Sequence, residues 1–290
     1  MTAKVISIIN MKGGVGKTTL TKEIGFHMAS SDHKRVLLID ADPQANLTQS
    51  FFRRYRYRQP AALAMESDKK SSTFTVQEAT INRLYSNSTG LTPPHSDVIV
   101  DFPDLSLSLI PGDLNTLFME TNTESSTMRQ ALINYLYYSE PTPEINNYDY
   151  VLIDCPPTYS SYTVAALLAT DHILIPVKPD DYSVLGIKML TKVVHNVQAN
   201  NKAIYHGRKL TNLGIIFTDI TSKPQPGLLA TMKLIEHSRD LADKYFFENW
   251  FLKNNGFFKH LDYFADLSNS TRSKENLSAI LAELYTRIGD

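Results

Sequence analysis

Six short apolar runs punctuate this 290-residue chain: VISII (5–9), VLLID (36–40), LSLI (107–110), YVLID (150–154), HILIPV (172–177) and LGIIF (213–217). Each is nearly continuous in Val, Ile and Leu, without polar alternation, as strands buried on both faces of a parallel sheet require. Segments of helical character separate them, among them TTLTKEIGFHMAS (18–30) and SVLGIKMLTKVVHNVQ (183–198). A last one, SKENLSAILAELYTRI (273–288), spaces its apolar residues for a helix that packs back on the body of the protein. This repeated alternation predicts an α/β fold with a doubly wound, mostly parallel sheet flanked by helices. Right-handed crossovers then bring the C-terminal ends of the strands to one edge.

Two regions break the pattern. Residues 53–105 carry RRYRYRQP, SDKKSS and LTPPHSD with few sustained apolar runs, and read as an insertion holding one modest helix over about 75–85. Residues 246–272 are dense in aromatics and end in a polar stretch. No internal repeat or long linker divides the chain, so one domain over 1–290 is expected, with the insertion and this divergent segment built onto it.

Composition narrows the function classes. With 42% hydrophobic and 20% charged residues, a soluble globular protein is expected. Twenty-nine Lys and Arg against thirty Asp and Glu leave a formal charge of −1, so any nucleic-acid contact must come from a local patch. The single cysteine, Cys155, excludes an internal disulfide and argues against a cysteine-ligated metal within one chain, which fits a reducing, cytoplasmic setting. No apolar stretch approaches the roughly 20 residues of a membrane span, and the run before the glycine-rich loop is too short for a signal peptide.

Chemistry enters at NMKGGVGKTTL (10–20), which almost matches the phosphate-loop pattern G-x-x-x-x-G-K-[ST]. Met11 stands where the first glycine belongs, and a second lysine, Lys12, precedes the expected Lys17 by five residues. Gly13, Gly14 and Gly16 still supply the turn, and with Val15 they line up backbone N–H groups for phosphate at a helix N-terminus. Lys17 is placed to reach the β- and γ-phosphates, Thr18 to ligate Mg²⁺ and Thr19 to hydrogen-bond the α-phosphate of ATP. Asp154, ending YVLID, is a candidate to hold Mg²⁺ through water, or else a plain turn residue. Asp40, ending VLLID, is placed to support the same metal shell. Asp42 either orients the water that attacks the γ-phosphate or caps the next helix, with Pro43 at its first position. Lys17 and Asp42 are the catalytic candidates that the residues themselves offer.

These motifs resemble, in order, the ParA/MinD-type ATPases with a deviant phosphate-binding loop: KGGVGKTT (12–19), LLIDADPQANLT (37–48), LSLIPG (107–112), YDYVLIDCPP (148–157) and TDHILIPVKPDDYSVLGI (170–187). The resemblance runs from about residue 4 to 220 and is closest to ParA-type partition ATPases without an N-terminal DNA-reading domain. It implies an ATP-dependent homodimer in which Lys12 reaches across to the partner's phosphates; the alternative for Lys12 is a solvated surface lysine. It further implies nonspecific DNA binding in the ATP state, a ParB-like or other adaptor that stimulates hydrolysis, and a cytoplasmic, nucleoid-associated protein that partitions a plasmid or chromosome. Lys223, Lys253 and Lys259 fall where the family carries basic DNA contacts, although the arginines and proline common there are missing. RRYRYR (53–58) is either a further contact surface or an exposed helix face. The final helix lacks the cationic, aromatic profile of the MinD-type membrane tail, so no membrane partner is expected. Two other readings keep the fold: an ATPase that positions a protein cargo, and a metabolic ligase or amidotransferase.

Overall fold

The computed structural model describes residues 3–60, 74–87, 91–102, 104–116 and 125–290. All six predicted runs are strands: β1 (Lys4–Ile8), β2 (Val36–Asp40), β6 (Leu107–Ile110), β7 (Tyr150–Asp154), β8 (His172–Val177) and β9 (Thr211–Ile220). They form one sheet in the order β10-β9-β8-β1-β7-β2-β6-β5, where β5 is Val100–Phe102 and β10 is Phe251–Leu252. Every pairing in it is parallel except β5 against β6. A short parallel pair, β3 (Tyr57–Arg58) with β4 (Thr75–Val76), stands apart.

Strand periodicity explains the two-sided burial. In β1, β2 and β7, Val5, Leu37, Ile39, Val151 and Ile153 feed one core, while Ile6, Ile8, Val36, Leu38 and Leu152 feed the other. The first core is closed by helices α5 (Ser125–Tyr138), α6 (Ser161–Ala169) and α7 (Ser183–Asn200). The second is closed by α1 (Lys17–Ser30), α2 (Asn46–Tyr55) and the final helix α10 (Thr271–Ile288), which buries Leu277, Ile280, Leu281 and Leu284. Remaining helical turns are α3 (Asn82–Tyr85), α4 (His95–Val98), α8 (Pro226–Glu236) and α9 (Asn255–Lys259). No helix among the described residues is long and apolar enough to cross a membrane.

The helix expected over 75–85 is corrected. Thr75 and Val76 pair as β4, and only Asn82–Tyr85 is helical. β-Branched Thr75 and Val76 suit the strand that Arg56 and Arg58 offer, bonding Thr75 N–H and Gln77 N–H through their carbonyls at 3.1 and 2.9 Å. In RRYRYR, Tyr55 and Tyr57 pack on Phe102, with ring centroids 4.6 and 6.0 Å apart, while Arg53, Arg54 and Arg56 face solvent. The SDKKSS stretch lies outside the described residues.

The aromatic segment packs on α1. Phe264 sits against Phe26 and Phe51 at 4.6 and 5.1 Å, and a line of charges follows it along the helix. Lys22 donates to the Tyr263 carbonyl and pairs with Glu23 at 3.2 Å; Glu23 accepts Ala265 N–H at 2.8 Å; His27 meets Asp266 at 2.9 Å. Burial pushes the Glu23 carboxyl up to about 7, against the pull of Lys22 and Ala265 N–H. Burial works to lower the His27 pKa, but its hydrogen bond to Asp266 and that carboxylate's charge prevail and raise it.

Both groups hold protons more tightly folded than unfolded. Their stabilising effect is therefore complete below their unfolded pKa values and is lost as pH rises through the folded ones. For Glu23 that window runs from 4.5 to about 7. Glu23→Gln should flatten the fall in urea midpoint between pH 5 and 7, removing about 2–3 kcal/mol of pH-dependent loss; an unchanged slope would show that Glu23 does not titrate in this window.

Candidate functional site

Strand register builds the site. Ile8 at the end of β1 pairs with Asp154, and Asp154 pairs with Asp40 across β7 and β2. The loop leaving β1 and the two carboxylates are thus neighbours along one edge, where ligands bind in open α/β sheets.

The loop 9–16 is folded for an anion. Gly14 (φ 71°) and Gly16 (φ 83°) take the left-handed conformation, and Gly16 is the N-cap residue of α1. A Cβ at Gly13 would meet nothing within 4 Å, so this position is open rather than crowded. Thr18 and Thr19 lie in the first turn of α1, where free N–H groups and the helix dipole favour negative charge. Thr218, in β9, donates its hydroxyl to the Val15 carbonyl at 2.8 Å and ties the loop to the sheet. Lys17 is 6% exposed, and its Nζ donates to the Lys12 carbonyl at 3.1 Å, within the loop it is expected to serve. Burial lowers its pKa, against the pull of Asp154 and Asp42.

Asp40 and Asp154 are fully buried. Asp40 Oδ2 accepts the Thr48 N–H at 2.8 Å and the Thr48 hydroxyl at 2.7 Å, while Oδ1 has no hydrogen-bond partner. Neither Asp154 oxygen has one. Burial raises both carboxyl pKa values, Asp40 to about 7 and Asp154 well above its ordinary range, the second with help from the neighbouring Asp40. Three buried carboxylate oxygens without donors, beside a threonine at a helix start, fit a hard cation that takes its other ligands from phosphate and water. Among the described residues no group of three or more His, Cys, Asp or Glu is arranged to hold a metal alone.

Asp42 does not cap the next helix. That helix begins at Asn46 with Ala45 as its N-cap residue, and Asp42 Oδ1 instead accepts Gln44 N–H at 2.9 Å, closing a local turn. Lys12, partly exposed, pairs through its Nζ with Asp180 of its own chain, in the turn before α7.

A cavity of about 130 Å³ opens beside Gly14, Val15, Gly16 and Thr19, walled by Thr218, Phe251 and Phe257. Asp219 stands at it with a left-handed backbone (φ 59°), paired to Lys178 at 2.7 Å and Lys253 at 3.3 Å. Lys253 is therefore half-exposed and ion-paired at the cavity, Lys223 is exposed in the turn after β9, and the side chain of Lys259 lies outside the described residues. A wider cavity of about 500 Å³ lies between Leu84, Asn87, Leu91, Thr92 and Pro93 on one side and α5 on the other; among the described residues its lining holds amides, hydroxyls and tyrosines and no carboxylate, lysine, arginine or histidine. Thr48, Gly112, Asp180, Thr218 and Asp219 were not singled out in the sequence. Gly112 carried a signal in LSLIPG: a Cβ there would stand 3.0 Å from Asp40.

The model of the AAA-domain family matches residues 3–205. Identity is 32% over 241 residues to an uncharacterized protein of Mycobacterium tuberculosis, the match covering 83% of this chain and 65%, just under two thirds, of that protein's length. It is 27% over 251 residues to the sporulation initiation inhibitor protein Soj of Bacillus subtilis, covering 83% of this chain and 82% of Soj. It is 28% over 239 residues to a ParA family protein of Chlamydia pneumoniae, covering 80% and 83%. An ATP complex of Cyanothece McdA shares the fold at TM-score 0.70 and 19% identity, over 99% of this chain and 96% of that one. A plasmid partition protein of Borrelia burgdorferi bound to AMPPNP does so at TM-score 0.66 and 19% identity, over 98% and 99%. The family match, these relatives and the phosphate-loop edge agree: this chain belongs to the ParA-type family of P-loop ATPases.

Proposed function

We propose that the protein is an ATP- and Mg²⁺-dependent dimerising switch of DNA partition. ATP joins two copies, the joined state binds nonspecific DNA, and hydrolysis, stimulated by a ParB-like adaptor, releases it. The observation that carries this reading is the gathering of the glycine-rich loop with its Lys17, of Asp154 and of Asp40 at the ends of three adjacent strands, with three carboxylate oxygens unpaired. A nucleotide-bound relative in fold, the Borrelia plasmid partition protein with AMPPNP, supports the choice of ligand.

Each residue then has a task. The backbone of Gly13 to Gly16 and the start of α1 receive the phosphates, and Thr19 bonds the α-phosphate. Lys17 leaves the Lys12 carbonyl to neutralise the β- and γ-phosphates. Thr18 and Asp154 hold Mg²⁺, with Asp40 behind them; when bound, the ion offsets charge on the phosphate oxygens. Asp42, 9% exposed on its turn, aligns the attacking water. Lys12 reaches to the partner's phosphates, which offsets the repulsion of two facing triphosphates and makes ATP the link between copies. Tyr182, Leu185 and Met189, all exposed beside Asp180, supply apolar area for that contact.

DNA binding rests on Lys223, Lys253 and Lys259, doubled by dimerisation. Lys253 must leave or share Asp219 to contribute. The expected behaviour is ATP-dependent retention on nonspecific DNA that falls steeply with salt; no DNA affinity with ATP at low salt would remove the centre of this proposal. Turnover without any small-molecule acceptor separates it from a ligase on the same fold.

Three substitutions test the roles. Lys17→Ala should abolish nucleotide binding in calorimetry. Asp42→Ala should keep an ATP-bound dimer while slowing hydrolysis by about 100-fold or more. Asp154→Asn should raise the thermal midpoint of the nucleotide-free protein increasingly as pH rises, since a buried carboxyl that resists ionisation gives way to a neutral amide, yet cut Mg²⁺-dependent turnover by a similar factor. A drop in that midpoint would mean the carboxylate is satisfied without a cation.

A further inference from the structure

We propose that Asp180 is the positioning residue of Lys12, holding it against its own chain until a second copy's phosphates draw it away, and so setting how readily two ATP-loaded copies join. The proposal rests on the role given to Lys12 above.

The carboxylate is prepared for this from both sides. Asp180 Oδ2 receives the Lys12 ammonium, while Oδ1 accepts Tyr182 N–H at 3.0 Å. The Ser183 hydroxyl stands 3.2 Å from Oδ1 and 2.8 Å from the Lys178 carbonyl, and accepts Asp180 N–H at 3.0 Å. The acceptor is therefore locked to the first turn of α7. On the other side, Asn10 Oδ1 accepts Lys12 N–H at 3.0 Å and Asn10 Nδ2 donates to the Pro176 carbonyl at 2.8 Å. Both partners thus hang on the exit of β8. Gly186 keeps the helix face bare where they meet, because a Cβ there would stand 3.2 Å from Asn10 Oδ1 and 3.7 Å from Lys12 Cβ.

The pair is also linked to the phosphate site. Lys17 Nζ donates to the Lys12 carbonyl, so phosphate binding by Lys17 withdraws a bond from the residue that Asp180 holds. Filling the site in one copy loosens Lys12 for the next. With side chains 30% and 38% exposed, the pair is screened by water and is a weak latch that can open. Such a pair shifts an equilibrium about twofold to fivefold, and each dimer opens two of them.

Sedimentation of the full chain with AMPPNP and Mg²⁺ tests this. Asp180→Asn keeps an acceptor for Tyr182 N–H but loses the charge, and should tighten dimerisation by about fivefold to twentyfold, with the gain shrinking at high salt. Asp180→Glu should restore wild-type behaviour, and Asp180→Asn should add nothing to Lys12→Ala. A purely structural role for Asp180 would weaken the dimer and would not depend on Lys12. A dimerising wild type with Asp180→Asn equal or weaker overturns the assignment alone. A wild type that stays monomeric overturns it together with the switch reading.

Discussion

Asp40 and Asp154 are side by side across two strands, both removed from water and both carrying oxygens that no donor meets. Burying one unpaired carboxylate is unfavourable by several kcal/mol, and a second beside it adds like-charge repulsion. The fold holds them there only because the surrounding sheet is packed on both faces and cannot shift to admit water. The partial remedies are visible: Thr48 gives two donors to one oxygen of Asp40, burial makes both carboxyls hold a proton more tightly than usual, and Lys17 lies close enough to feel Asp154 and Asp42. On the proposed reading, a cation would complete what these leave unfinished, and a phosphate would complete Lys17.

Much of the rest serves that edge. Thr48 bridges Asp40 to Gly112, whose N–H it accepts at 2.8 Å, so α2 and the loop after β6 are fastened to the same carboxylate. β9 reaches the phosphate loop through Thr218, and the turn after β8 reaches it through Asn10 and Lys12. Through Thr48 the Asp40 carboxylate is thus tied directly to α2, the helix that carries the exposed Arg53 and Arg54.

The central strands and the helices at 17–30, 183–200 and 271–288 were legible because continuous apolar runs and helical spacing leave little choice when a segment is buried on one or two sides. The phosphate-loop residues were legible because glycine and lysine at those intervals have one common use. Short elements were not. β5 and β10 span three and two residues, and Thr75–Val76 is a strand only because Tyr57–Arg58 lies beside it, a fact about distant chain rather than local pattern. Asp180, Thr218 and Asp219 were missed for the same reason: Lys12, Val15 and the two lysines they meet are 168, 203 and 34 to 41 positions away, and even the motif around Asp180 does not say which distant side chain it holds. For Asp42 only the helix-cap alternative is removed: Pro43 after an aspartate is a common helix start, whereas here the chain makes one more turn first.

The aromatic segment's hold on α1 joins parts of the molecule that are far apart in the chain. The phosphate loop is encoded within the first twenty residues, yet Thr218, Phe251 and Phe257 form the wall beside it, and residues 263–266 fasten that wall's continuation to Lys22, Glu23 and His27. The wall beside Gly14, Val15, Gly16 and Thr19 is therefore built by residues far along the chain, and a change at 263–266 would reach it through α1 without touching it.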